Sequence, residues 1–219
     1  MGRTGIKNPL ENGKDHSSQT FSDFLRAASK GVVVPVASFL NRLGLTPNMV
    51  TLAGLFGQVI AAALIAFGYV TFGGLLLVLV APLDVLDGTM ARLRGISSPF
   101  GAFLDSVTDR YAELAIFGGL FIYYSQRMDW IACTLVYLAA AGSVLVSYVR
   151  ARAQGVGYEA KIGLLSRVER YIILVPSLIF NVPFWAIVIL AIFTNLTALQ
   201  RIFYVRQRAE QDAKDVGKV

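Results

Sequence analysis

The chain has 219 residues, of which 55% are hydrophobic and only 16% charged, against about 25% charged in a typical soluble domain. That balance excludes an ordinary soluble domain. A lone cysteine, Cys133, excludes an internal disulfide, and a lone histidine, His16 in a polar N-terminal stretch, excludes a His-rich metal site or a His-based triad.

Residues 1–20 are polar and weakly patterned, without the apolar core of a secretory leader, and read as a disordered tail. From 21 to 43 the pattern turns amphipathic. Phe21, Phe24, Leu25 and Ala28 share one helical face, with Arg26 and Lys30 elsewhere. Charge recurs too often there for a bilayer core, so a helix lying in the interface is expected, interrupted at Pro35.

Six apolar spans are then expected near 47–68, 72–93, 99–124, 129–151, 168–181 and 183–206. The fifth is short and polar at its start, with a kink at Pro176, and Asn181-Val182-Pro183 makes the turn into the sixth. The spans define a membrane domain over 44–208, followed by a polar tail over 209–219. The expected fold is therefore an all-α membrane protein. Six transmembrane helices follow the amphipathic helix, and the active-site cavity opens on the cytoplasmic side.

Basic residues orient it. Of the 20 Lys and Arg, only Arg127 falls on the opposite side of these spans, so both termini and the two charged loops are predicted to be cytoplasmic. The net charge of +6 then belongs to one face and suits anionic lipid, not nucleic acid.

The most informative stretch is Asp84-Val85-Leu86-Asp87-Gly88-Thr89-Met90-Ala91-Arg92, followed after eight residues by Gly101, Asp105 and Asp109. On a helix, Asp84, Asp87, Gly88 and Ala91 share one face, as do Gly101, Asp105 and Asp109. The short link from Arg94 to Pro99 makes the two helices antiparallel neighbours, aiming four carboxylates at one cavity. Such a set repels itself in a low-dielectric medium unless hard divalent cations neutralise it. Two ions would clamp a diphosphate, while Gly88, Ala91 and Gly101 leave room for a bulky ligand. A cation transporter or channel is the non-enzyme alternative, but it leaves the small-residue spacing unexplained.

All eight fixed positions of this stretch match the signature of the CDP-alcohol phosphotransferase family, which the chain resembles from about Leu45 to Arg201. The segment Leu45-Thr46-Pro47-Asn48-Met49-Val50-Thr51 is similar to the one opening that family's first span. The resemblance implies that Asp84, Asp87 and Asp105 bind metal and that Asp109 both contacts metal and acts as general base. It implies Mg²⁺ or Mn²⁺, two ions, as cofactor, and a CDP-lipid site formed by Asn48, Thr51, Gly88, Ala91, Arg92 and Gly101. It also implies a homodimer in the cell membrane.

Ser147 to Ala153 and Gly163 to Arg170 further resemble the subgroup that makes phosphatidylinositol phosphate or archaetidylinositol phosphate. The implied acceptor is inositol 1-phosphate, a phosphorylated polyol, held through its phosphate by Arg150, Arg170 and Arg201. Glycerol 3-phosphate or another alcohol is the alternative acceptor. Forked guanidiniums suit phosphate oxygens.

Overall fold

The computed structural model describes the chain from 21 to 216 apart from positions 97 and 161, so the tail expected over 1–20 and Lys161 lie outside the described residues. Those residues form eight helices and no strand. In order they are α1 (Phe21–Arg42), α2 (Pro47–Ala66), α3 (Val70–Val80), α4 (Pro82–Arg94), α5 (Pro99–Ser125), α6 (Trp130–Gly155), α7 (Arg167–Ile179) and α8 (Pro183–Val216).

Local chemistry explains most of the boundaries. Thr46 and Ser98 cap α2 and α5, each accepting a backbone N–H of the first turn, and Pro47 and Pro99 occupy the position whose N–H would go unused. Asp129 caps α6 through the amide of Ala132. Gly95 closes α4 in the left-handed region, at φ 64°. The turn expected at Asn181 is present, with Asn181 itself left-handed at φ 56° before Pro183 opens α8.

Three expectations need correction. The second span is not one helix but two, α3 and α4, meeting at Ala81, because Pro82 has no N–H to continue the ladder. Helix α1 runs through Pro35 without a break. There the buried Ala37 packs with Met90 and Leu86 of α4, and this contact outweighs one missing hydrogen bond. Helix α8 runs past position 208, so the tail is helical up to Val216. The side chains of the apolar face expected at Phe21, Phe24, Leu25 and Ala28 lie outside those described.

Four helical stretches are long and apolar enough to cross a membrane: 47–66, 70–94, 130–155 and 183–214. Helix α5 has the length, since 27 residues at about 1.5 Å each reach about 40 Å, but Asp105, Asp109, Arg110 and Glu113 charge its first half. Helix α7, with 13 residues, is short. Outward-facing positions are strongly apolar, with Phe56, Leu79, Ile131 and Trp185 all exposed. Such a surface suits lipid rather than water.

The core joins α2, α3, α5, α6, α7 and α8 around Ile65, Leu77, Ile116, Leu120, Val136, Leu178 and Leu190. Helix α2 lies against α3, α4 and α5, while α6 runs along α8. At Gly119 a Cβ would collide with the carbonyl of Ala62, so the closeness of α2 and α5 depends on that glycine.

Candidate active site

Asp84 and Asp87 sit on α4, and Asp105 and Asp109 on α5. The two helices face each other across the site, joined through Arg167, and are not packed closely along their length. Among the described residues they do not pack along each other; each lies instead against α2. One side chain, Arg167, reaches Asp84 on α4 and Asp109 on α5, so the two acidic faces border a single cleft. The carboxylates still act on one another across it: Asp105 lies within electrostatic range of both Asp84 and Asp87, and Asp84 of Asp109.

Three of the four carboxylates are held by neighbouring side chains. Thr51 of α2 donates its hydroxyl to Asp87 Oδ2 at 2.5 Å, both side chains being buried. Arg167, the first residue of α7, spans the cleft. Its Nη2 lies 2.6 Å from Asp84 Oδ2, and its Nη1 lies 2.6 Å from Asp109 Oδ2. Arg110 Nη2 also approaches Asp109 Oδ2, at 3.1 Å. The guanidinium of Arg167 also stands over the ring of Tyr171, 5.7 Å from its centre, and the Tyr171 hydroxyl donates to Gln58 of α2.

The expected four-carboxylate cage is therefore open. Among the described residues no three acidic, His or Cys side chains converge into a metal-holding group, and a guanidinium lies between two of the four. The donor set itself suits a hard divalent ion, since it consists of carboxylate oxygens alone.

Around this centre, the remaining expected ligand-binding residues divide by environment. A Cβ on Gly101 would come within 3.2 Å of Ser98 Oγ and 3.7 Å of Asn48 Oδ1, so the start of α5 is brought beside the start of α2. Gly88 would meet only Arg92 Nη1, at 3.6 Å, and so faces open space next to that guanidinium. Ala91 is half-buried and Arg92 exposed, with Arg92 Nη2 donating to Thr89.

The three arginines expected to hold a phosphate lie within electrostatic range, Arg150 and Arg170 both acting on Arg201. Their surroundings differ. Arg150 is exposed. Arg170, 2% exposed, grips Glu113 through Nε at 2.6 Å and Nη2 at 3.0 Å, and donates Nη1 to the Leu165 carbonyl. Arg201, 4% exposed, donates to the carbonyls of Ile162 and Val146. Two of the three are thus spoken for by protein groups.

Sequence reasoning missed Arg167, Glu113, Gln58 and Tyr171. Glu113 was legible, because it continues the face of Gly101, Asp105 and Asp109 by one more step of four. Arg167 carried no such signal, since only the tertiary fold brings it 83 positions back to Asp84. Beside that contact runs a groove of about 560 Å³ between α3, α4 and α7. Asp84 and Arg167 stand among its lining, and most of its wall is apolar, including Leu77, Val85, Ile172 and Val175.

Comparison with known proteins agrees with the motif. Residues 44–198 match the model of the CDP-alcohol phosphatidyltransferase family. Phosphatidylinositol phosphate synthase of Mycobacteroides abscessus is 39% identical over 183 residues, covering 78% of this chain and 82% of that one. The crystal structure of the Mycobacterium tuberculosis phosphatidylinositol phosphate synthase with CDP-DAG bound superposes with a TM-score of 0.76 at 31% identity, over 80% of this chain and 93% of that one. The same synthase in complex with manganese and citrate also gives 0.76 at 31%, over 80% and 88%. The chain belongs to the CDP-alcohol phosphatidyltransferase family.

Proposed function

We propose that the chain transfers a phosphatidyl-type group from CDP-diacylglycerol, or its archaeal ether counterpart, to a hydroxyl of inositol 1-phosphate and releases CMP. The observation that carries this reading is the cleft between α4 and α5, where four aspartates lie within electrostatic range of one another and Arg167 bridges two of them. The relatives named phosphatidylinositol phosphate synthase support the acceptor. Six crossings are proposed, through α2, α3 with α4, α5, α6, α7 and α8, in the cell membrane with both termini cytoplasmic and two copies as a homodimer. The charges of α5 need not meet lipid, because that helix is flanked by α2 and α6.

Asp84, Asp87, Asp105 and Asp109 would hold two divalent ions, Mg²⁺ or Mn²⁺, and the manganese complex of the Mycobacterium tuberculosis synthase supports this. Bound there, the ions supply the positive charge that offsets the diphosphate. Thr51 fixes Asp87 by its hydrogen bond. Gly88 leaves space for the nucleotide beside Arg92, and Ala91 on the same helix with Gly101 and Asn48 at the starts of α5 and α2 would complete that site. The apolar groove beside Asp84 suits the lipid tails. Asp109, buried between α5 and Arg167, takes the proton from the acceptor hydroxyl as its oxygen bonds to the lipid-side phosphorus, and the bond to CMP breaks. Arg150, which is exposed, contacts the acceptor phosphate, with Arg170 and Arg201 adding positive potential behind it.

Acceptor choice is tested with inositol phosphate, glycerol 3-phosphate, serine and free inositol offered to the purified protein. Inositol phosphate should be used best. Arg150→Ala removes charge-assisted hydrogen bonds to the phosphate and should raise the KM for that acceptor about ten- to hundredfold. The KM for CDP-lipid should hardly move. An unchanged acceptor KM, or an inert inositol phosphate, would remove this acceptor and leave only the family reaction.

A further inference from the structure

Arg167 makes two 2.6 Å contacts with carboxylates on two different helices, Asp84 on α4 and Asp109 on α5. It is the described cation that joins the two sides of the cleft, since Arg110 reaches Asp109 alone. Its placement is built. The guanidinium stands over Tyr171, whose hydroxyl is tied to Gln58, and the side chain is 27% exposed. A planar fork held in this way meets two carboxylates at once, which a lysine ammonium on a flexible stem does less well.

We propose that Arg167 is the resident counter-cation of the acidic cleft, a positioning residue that competes with divalent metal for Asp84 and Asp109. This rests on the proposed metal site. An Oδ2 lone pair engaged by a guanidinium at 2.6 Å is closed to a metal from that direction, so a metal that takes these oxygens displaces Arg167 from both ion pairs. Apparent metal affinity is then the intrinsic affinity reduced by the cost of releasing the guanidinium. In the absence of ions the same bridge keeps mutually repelling carboxylates from splaying α4 away from α5.

The test is direct binding of Mn²⁺ to detergent-purified full-length protein without lipid substrate, followed by calorimetry or by the loss of free-ion paramagnetic resonance. Arg167→Gln should bind Mn²⁺ about tenfold more tightly than the wild type or better, as expected when two charge-assisted contacts no longer compete. Arg110→Gln removes the same formal charge from Asp109 but no bridge, and should tighten binding by clearly less. Arg167→Lys should fall between wild type and Arg167→Gln, and it provides the comparison should the glutamine variant not fold. If wild type and Arg167→Gln both fail to bind Mn²⁺, the metal site itself is wrong and this inference falls with it. If the wild type binds and Arg167→Gln binds no more tightly, or Arg110→Gln tightens binding equally, only the bridging role is refuted.

Discussion

Asp109→Asn is expected to lower turnover by about a hundred- to ten-thousandfold, the range that a positioned general base contributes, while part of the CDP-lipid affinity survives. The amide has the shape of the carboxylate but cannot take a proton from an acceptor hydroxyl. Asp109 is 9% exposed and is contacted by both Arg167 and Arg110, so its surroundings are packed and the amide has little room to shift. Asp84→Asn and Asp87→Asn should behave differently. They should weaken nucleotide and metal binding together with turnover, because Asp84 and Asp87 are proposed as metal ligands and not as the base. Turnover and equilibrium CDP-lipid binding, measured on the same three variants, check the split. Near-normal turnover in Asp109→Asn would take the proton-transfer role from it.

The second large effect falls on stability. Arg170→Ala should destabilise the fold by about 3–5 kcal/mol, because removing one member of a buried pair strands the other charge. The stranded group is Glu113, itself 6% exposed on α5 and engaged by two nitrogens of Arg170. The consequence is architectural as well, since α7 packs on α3 and α8 and reaches α5 through ion pairs. Glu113→Gln should be milder, as its amide oxygen can still accept from the guanidinium. Adding Glu113→Leu to an Arg170→Met background should recover much of the loss. Thermal and denaturant unfolding in one detergent measure all of these. Wild-type stability in Arg170→Ala would show the pair to be dispensable.

A rise in acceptor KM for Arg170→Ala cannot therefore be read as a lost phosphate contact, which is why Arg150 is the sharper probe of the acceptor. From sequence, Arg150, Arg170 and Arg201 look alike, each a basic residue near a predicted span end. Their difference is tertiary: one stays exposed while the others satisfy a carboxylate and backbone carbonyls contributed by distant segments.

The aspartate motif was legible because spacings of three and four project onto one helical face whatever the tertiary fold. Six of the eight helices begin within a few residues of the boundaries expected for the spans, and for α2, α5, α6 and α8 a capping residue or an N-terminal proline acts locally to set that start. The exceptions are α1, which precedes them, and α4, which arises from the break at Pro82. What stayed hidden was that α4 and α5 each pack on α2 more than on each other, because a short link constrains where two helices meet but not what else they pack against. Arg167 was hidden for the same reason, its partners lying on α4 and α5 while it opens α7.

The central claim is metal-dependent transfer from a CDP-lipid, and CMP release from CDP-diacylglycerol by the purified protein tests it most directly. With inositol phosphate and Mg²⁺ or Mn²⁺ present, CMP should appear in step with the phospholipid product. EDTA should abolish release and excess divalent ion should restore it. Full CMP release in metal-free buffer, or none from CDP-lipid under any metal and acceptor, would contradict the account.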